Sequence, residues 1–270
     1  MIRVMTLDAA TQNQASPHRL RTRFQPLRQD GIDLLCCQSI RHSMDGKENF
    51  SHLLSETLGL TSSCFAAGRH QAELFSDGNH AARGLAMLTG SGVWVLNSGS
   101  FFVGDAEEEE VVQFALIRKN GASVLALNLH LAAAPQAQAR QLRDLFLNPL
   151  LRDKYGAVVL CADRPATVPL KEWQSLTARS NYCLHDKLLP ATHGSGLLCL
   201  LTARAEAVSV VTIRPPELTP PASGKNSAIP PGLTMALEIQ RRSADKRSRP
   251  FFPLSFREQW LGYKEHRAFT

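Results

Sequence analysis

The chain has 270 residues, of which 44% are hydrophobic and 20% are charged, and its formal net charge is +6. This composition excludes a disordered chain, and the length suits one large domain with a generous core. The sequence contains no apolar run long enough to span a membrane, and Met1 leads directly into a strand pattern instead of a signal peptide. We therefore expect a cytoplasmic protein that does not insert into a membrane.

The first part of the chain alternates short apolar strands with helices. Strands are predicted for residues 2–8 and 32–39, and helices for residues 16–28 and 48–60. The first strand ends in the carboxylate of Asp8, and the second ends in the polar pair Gln38-Ser39. Polar residues at strand ends are typical of a catalytic or binding crevice assembled from distant segments.

The most informative stretch is residues 124–131, Val-Leu-Ala-Leu-Asn-Leu-His-Leu. Its run is apolar on both faces, as in a strand that is covered on both sides, and it places His130 at the C-terminal end. The residues from Pro135 onward favour a helix. Residues 157–163 repeat the pattern as a buried strand that ends in Asp163. We expect these strand ends to line a common crevice.

The six cysteines do not indicate a metal or redox site. None of them forms a Cys-x-x-Cys pair, which leaves a zinc site or a redox motif without support. Cys36, Cys37 and Cys161 lie inside apolar strands and are predicted to be buried free thiols. The neighbours Cys36 and Cys37 should point to opposite faces of their strand, which prevents a bridge between them.

Residues 241–270 form a basic, aromatic C-terminal extension that we expect to follow a domain of residues 1–240. The extension contains eight basic and three acidic residues, so it carries +5 of the chain's net charge of +6. Basic residues mixed with aromatic ones bind single-stranded nucleic acid, but they also anchor protein partners or pack on the parent domain. The residues predicted to bind a partner or nucleic acid are Arg241, Arg242, Lys246, Arg247, Arg249 and Trp260.

The order and spacing of four segments in residues 1–240 resemble the endonuclease/exonuclease/phosphatase superfamily, the metal-dependent fold of DNase-I-like enzymes. The segments that carry the resemblance are residues 84–89, similar to the family's glycine-led strand; 128–131, similar to its Asn-x-His-Leu motif; 161–165, aligned with its Gly-Asp-x-Asn block; and 227–230 with 234–239, in the place of its Ser-Asp-His-x-Pro strand. The resemblance implies a four-layer α/β sandwich of two mixed, mainly antiparallel sheets with helices outside.

The resemblance does not carry the family's metal site over intact. The family's second strand ends in Gln-Glu, and that Glu is the principal magnesium ligand, but this chain has Ser39 there. A neutral hydroxyl is a poor substitute, because Mg²⁺ prefers carboxylate oxygens and retained waters. The family's first strand ends in Asn, where this chain has Asp8, and Pro165 stands in place of the Asn of the Gly-Asp-x-Asn block.

The family's water-activating pair is also missing. Ala228 and Ile229 occupy the positions of the Asp-His pair that orients and activates the nucleophilic water. Neither side chain accepts or donates a proton. Of the family's site residues, only His130 and Asp163 are unchanged.

Phosphodiester cleavage in this fold needs a cation on the phosphate, a base for water and donors for the developing charge, and such residues act as a unit. The sequence therefore predicts a catalytically impaired member, without a cofactor, that keeps the fold to bind a protein or nucleic-acid partner. A structural subunit of a larger assembly has the same sequence signature. The alternative is a metal-dependent phosphodiesterase, nuclease or phosphatase with an altered active site. It would use Asp8, His130 and Asp163, and Asp8 with Asp163 would hold Mg²⁺ or Mn²⁺.

Overall fold

Twelve strands and four α-helices make up the described part of this computed structural model. The described residues are 1–10, 16–43, 49–74, 80–105, 109–152, 155–164, 167–178, 182–184, 197–203, 207–214 and 232–240. The strands are β1 (Ile2–Asp8), β2 (Leu34–Ser43), β3 (Ser62–Leu74), β4 (His80–Thr89), β5 (Trp94–Val103), β6 (Glu110–Lys119), β7 (Ala122–Leu129), β8 (Ala157–Ala162), β9 (Tyr182–Leu184), β10 (Leu197–Ala203), β11 (Ala207–Arg214) and β12 (Gly232–Gln240). The helices are α1 (Pro17–Phe24), α2 (Phe50–Leu58), α3 (Pro135–Leu147) and α4 (Leu170–Ala178).

The strands form two six-stranded mixed sheets. The first sheet has the order β11-β12-β1-β2-β4-β3, and the second has the order β5-β6-β7-β8-β10-β9. Within the described strands, only β1 with β2 and β7 with β8 are parallel pairs, and the other neighbours are antiparallel. The predicted α/β sandwich of two mixed, mainly antiparallel sheets is confirmed.

The core is layered because both faces of the central strands are buried. Val4 and Cys36 face the second sheet, where they pack with residues such as Cys161. Their chain neighbours Met5 and Cys37 point the other way, into a cluster with the apolar faces of α1 and α2. Successive strand residues point to opposite faces, so a run that is apolar at every position fits a strand covered twice. The predicted opposite orientation of the adjacent cysteines is therefore observed.

The predicted helix over residues 16–28 is divided in two. Helix α1 ends at Phe24, and a 3₁₀ helix continues from Gln25 to Asp30. Pro26 explains the break, because proline has no N–H to donate and its ring disturbs the preceding helical turn. Gly31, with φ of +62°, then ends the segment in the left-handed conformation that glycine adopts most readily.

An ion pair between a half-buried lysine and a buried carboxylate joins the two sheets beside the N-terminal ends of β1 and β2. Asp33 precedes β2, and its Oδ1 lies 2.5 Å from Nζ of Lys119 at the end of β6. The second oxygen of Asp33 accepts a hydrogen bond of 2.9 Å from the Arg3 backbone N–H. This end of the sandwich is thus held together by a charge pair in addition to apolar packing.

Residues 1–240 group into one compact unit. The predicted extension of residues 241–270 lies outside the described residues. Among the described helices, none has the length and hydropathy needed to cross a bilayer.

Candidate functional site

The site is built where two parallel strands end at the same edge of the second sheet. His130 directly follows β7, and Asp163 directly follows β8, which pairs with β7 in parallel. The Nδ1 atom of His130 lies 2.8 Å from Oδ2 of Asp163. The imidazole is 19% exposed and the carboxylate is 6% exposed, so the pair is sheltered but can be reached from solvent on the histidine side.

Ser39, on β2 of the first sheet, contacts the histidine of this pair. Its φ of +55° lies in the left-handed region, and the register of β2 with β4 shifts between Cys37 and Ile40. The backbone N–H of Ser39 donates to Nε2 of His130 at 3.1 Å, and the hydroxyl oxygen lies 3.4 Å from the same nitrogen. Such irregularities redirect individual residues of a strand, and here the redirected group is a backbone donor.

These contacts define the state of the imidazole. Because the Ser39 N–H donates to Nε2, that nitrogen is an acceptor, and the ring hydrogen is on Nδ1, where it donates to Asp163. The other oxygen of Asp163 accepts the Leu131 N–H at 3.0 Å, and Nε of Arg164 lies 3.5 Å from Oδ2. Both ring nitrogens and both carboxylate oxygens are therefore engaged within the protein.

Asp8 lies at the end of β1, opposite Gln38 in the parallel register with β2. Its Oδ1 accepts a hydrogen bond of 3.0 Å from the Ala10 N–H, a local turn that follows the strand. Among the described residues, no three His, Cys, Asp or Glu side chains gather as they would around a metal ion. Mg²⁺ needs several oxygen ligands, and a two-carboxylate site of Asp8 and Asp163 stays a prediction.

A buried polar network lies directly beneath the site and connects the sheets. Nε2 of Gln38 donates to Oγ1 of Thr6 at 2.8 Å and to Oδ1 of Asn128 at 2.7 Å. Nδ2 of Asn128 in turn contacts Oε1 of Gln113 at 3.3 Å and the carbonyl oxygens of Cys37 and Ala86 at 3.0 and 3.1 Å. A satisfied network of this kind fixes the relative position of two layers.

Helix α3 holds the segments that deliver the histidine and the aspartate. Oε1 of Gln141 accepts the Ala132 N–H at 2.9 Å, and Nε2 of Gln138 donates to the Ala132 carbonyl at 2.9 Å. Oε1 of Gln138 also accepts the N–H of Thr167 at 2.8 Å and its hydroxyl at 2.9 Å. Gln138 and Gln141 lie three residues apart on the helix that follows the histidine strand. This spacing was the sequence signal for their hydrogen bonds to the site segments, and it was not recognised.

The core cysteines beneath the site are not reactive groups. Burial raises the pKa of the Cys36 thiol well above its usual range, and its hydrogen bond with Cys161 raises it further. Burial also raises the pKa of Cys37. Neutral buried thiols behave as small apolar residues, which agrees with the predicted free cysteines.

Several predicted site residues lie outside the described residues. They are Pro165, Ala228 and Ile229 of the family motifs, and Arg241, Arg242, Lys246, Arg247, Arg249 and Trp260 of the extension. What was predicted for them stays a prediction.

No protein-family model matches the chain, and no curated protein matches it in sequence. Solved structures do match. The catalytic domain of human Nocturnin with a bound sulfate anion has a TM-score of 0.61 and 17% identity, over 88% of this chain and 94% of that chain. D. rerio TDP2 in complex with a single strand DNA product has a TM-score of 0.60 and 13% identity, over 88% and 98%. A mannosyl-6-phosphatase of Bacteroides thetaiotaomicron has a TM-score of 0.52 and 12% identity, over 88% and 100%.

The matched structures share the sandwich although they are different proteins, among them bacterial members of the endonuclease/exonuclease/phosphatase family. Structural similarity at such low sequence identity establishes the fold and leaves the activity open. The chain therefore has the fold of the endonuclease/exonuclease/phosphatase superfamily, which confirms the resemblance inferred from its sequence.

Proposed function

We propose that this chain is a catalytically impaired protein of the endonuclease/exonuclease/phosphatase fold, which binds a protein or nucleic-acid partner instead of cleaving phosphate esters. One observation carries the proposal. The position at which the resemblance places the magnesium-binding Glu is Ser39, and its backbone N–H is hydrogen-bonded to Nε2 of His130.

Two chemical requirements are compromised by this arrangement. Ser39 supplies no carboxylate for a hard cation, and Nε2 of His130 must release the Ser39 N–H before it can accept a proton from water. General acid-base assistance alone contributes roughly 10²–10⁴-fold to rates. Since residues that act as a unit also fail as a unit, loss of the ligand and of the base should leave activity near background.

Activity assays with Mg²⁺ or Mn²⁺ test the proposal directly. Plasmid DNA, abasic duplex, RNA and bis-p-nitrophenyl phosphate should be hydrolysed at the rate of the buffer control. A metal-dependent rate that is lost in His130→Ala and kept in His18→Ala would contradict the proposal. His18 is a matched control because it is an exposed histidine on α1.

Metal binding is tested by thermal unfolding, since a ligand stabilises the folded state by RT ln(1 + [L]/Kd). Millimolar Mg²⁺ should raise the melting temperature very little. A clear rise with Mn²⁺ that disappears in Asp8→Asn but persists in Glu56→Gln, a surface change on α2, would instead establish the two-carboxylate site.

The alternative function is an altered metal-dependent phosphoric-ester hydrolase. The 2.8 Å contact between His130 and Asp163 favours it, because a carboxylate that orients an imidazole is a common part of general acid-base sites. In this alternative, substrate binding displaces the Ser39 N–H from Nε2. Asp163→Asn should then lower the hydrolysis rate without removing substrate binding.

For the binding function, the basic extension is the proposed contact with nucleic acid. Its +5 charge and its aromatic residues suit phosphates and stacked bases. The affinity of the full chain for a labelled single strand should fall with salt at a slope of roughly −0.7 per phosphate contact.

Replacing Arg241, Arg242, Arg247 and Arg249 with Gln should flatten this slope. The matched control removes the same charge at exposed positions of the domain: Arg19, Arg21, Arg143 and Lys171. An equal loss in both variants would make the contact a general charge effect. No binding by the wild-type chain would leave a protein as the partner.

A further inference from the structure

Strand β5 forms one edge of the second sheet, and its side chains are unusually open. It pairs with β6, and within the described residues no strand pairs with its other edge. Four large apolar side chains on it are exposed: Trp94 by 72%, Phe102 by 48%, Leu96 by 45% and Val95 by 41%. An unpaired edge with exposed apolar side chains is a template for pairing with another strand.

The composition of β5 lacks the usual protection of an edge. Its ten residues, Trp-Val-Leu-Asn-Ser-Gly-Ser-Phe-Phe-Val, include no charged residue and no proline. Natural edge strands are commonly short, or carry lysine, proline or bulges that hinder further pairing. The described bulge of β5 is confined to Val95–Asn97, near one end. Most of the edge is therefore available to a partner strand.

The two ends of the strand are apolar, and its centre is small and uncharged. Residues 94–96 are apolar, residues 97–100 are small and polar or glycine, and residues 101–103 are apolar. In an antiparallel pair with two-fold symmetry, one residue lies opposite its own copy, because residues opposite each other share a face of the sheet. An axis through Gly99 places Ser98 opposite Ser100 and brings the apolar end of each copy beside the apolar end of the other. A contact between identical surfaces must be self-complementary in this way.

We propose that β5 pairs with β5 of a second copy of this chain, so that the sheets containing β5 in the two copies join into one continuous sheet. With the axis at Gly99, residues 94–96 of one copy lie beside Phe102 and Val103 of the other. Aromatic and aliphatic pairs across strands stabilise a sheet, and the uncharged centre introduces no repulsion between the copies. This assembly goes beyond the proposed function and does not depend on it.

The surroundings of Gly99 favour a backbone contact at the centre. A Cβ added to Gly99 would lie 2.9 Å from the Phe114 ring, so the ring covers that face of the strand. Phe114 also packs beside Phe101, with ring centroids 6.3 Å apart. That face of β5 is thus packed on the domain, while Ser98 and Ser100 are exposed and leave the approach to the edge free of bulky side chains.

Charge exchange at Ser98 tests the pairing. The wild-type full chain should sediment as a dimer at micromolar concentration. Ser98→Lys and Ser98→Glu each place two like charges beside the two-fold axis and should weaken dimerisation roughly tenfold or more. An equimolar mixture of the two variants should form a dimer again, which a folding defect would not do. Leu147→Lys, at a residue of α3 that is 56% exposed, is the control and should dimerise like wild type.

Phe102→Thr provides a second variant that keeps strand propensity and removes the contact with residues 94–96 of the other copy. It should weaken dimerisation as well. A wild-type chain that is monomeric at all concentrations would overturn the proposal and leave the edge to a strand of another protein. A dimer that is unchanged in both Ser98 variants, or that does not return in their mixture, would also overturn it.

Discussion

Replacing Asn128 with Leu should strongly destabilise the fold, although the two side chains have similar volume. Asn128 contacts Gln38, Gln113 and the carbonyl oxygens of Cys37 and Ala86 at 2.7–3.3 Å, and it is fully buried. The leucine side chain offers neither a donor nor an acceptor. One donor and three acceptors between the sheets then lose a partner.

The expected loss of stability follows from these four groups. A buried polar group left without a partner costs about 1–3 kcal/mol, and part of this is recovered when Gln38 and Gln113 bond to each other. A net loss of about 3 kcal/mol or more is expected, which is a large share of the roughly 5–15 kcal/mol that stabilises a domain.

Urea unfolding followed by circular dichroism measures this loss as a lower midpoint at an unchanged m-value. Gln174→Leu removes an exposed amide on α4 and should change the free energy of unfolding by less than about 0.5 kcal/mol. If Asn128→Leu costs less than about 1 kcal/mol, the network does not hold the sheets together and the reasoning is wrong.

Three further predictions concern Ser39, the Asp33–Lys119 pair and the core thiols. Because Ser39 has a positive φ, Ser39→Gly should leave the melting temperature nearly unchanged, while the β-branched Ser39→Val should cost about 1–3 kcal/mol in urea unfolding. Lys119→Met leaves the Asp33 carboxylate buried without its cation and should cost about 3–5 kcal/mol, and adding Asp33→Leu should restore most of this. Since burial raises the pKa of Cys36 and Cys37, the folded state holds their protons more tightly than the unfolded state. Their contribution to the free energy of unfolding is therefore fully present below the ordinary thiol pKa of roughly 8.5. At higher pH the free energy of unfolding should fall by up to about 1.4 kcal/mol per pH unit for each thiol, and this fall should be smaller in Cys37→Ala.

The sequence was sufficient to predict the central strands because burial on both faces leaves a continuous apolar run. Strands β7 and β8 show it most clearly, whereas β1 is interrupted by Arg3 and Thr6. The polar residues His130 and Asp163, which follow β7 and β8, are in contact. Strand β5 was not predicted. Its sequence is rich in serine and glycine at the centre and its side chains are largely exposed, so no period of two marks it.

The contact of Ser39 with His130 was equally beyond sequence reasoning. It joins residues 91 positions apart and depends on a positive φ and a register shift against β4. The amino-acid sequence around Ser39 indicates neither feature, because the register of a strand is decided by the pairing of whole strands. The polar network could not be predicted from the sequence for the same reason, since Gln38 and Asn128 meet only after the two sheets have packed.

The residues that match the superfamily divide by physical role. Gln38 and Asn128 occupy the family's motif positions, and both are buried with partners in the two sheets, so their loss exposes unpaired polar groups and threatens the fold. Ser39 stands where the resemblance places the family's Glu, and its backbone N–H satisfies His130 without any carboxylate. A serine at this position is therefore compatible with the fold, and it contacts the histidine of the Asn-x-His-Leu motif. A match to that motif indicates the sandwich, and the proposed inability of the site at Ser39 to hold a metal ion is decided separately by the unfolding experiments with Mg²⁺ and Mn²⁺.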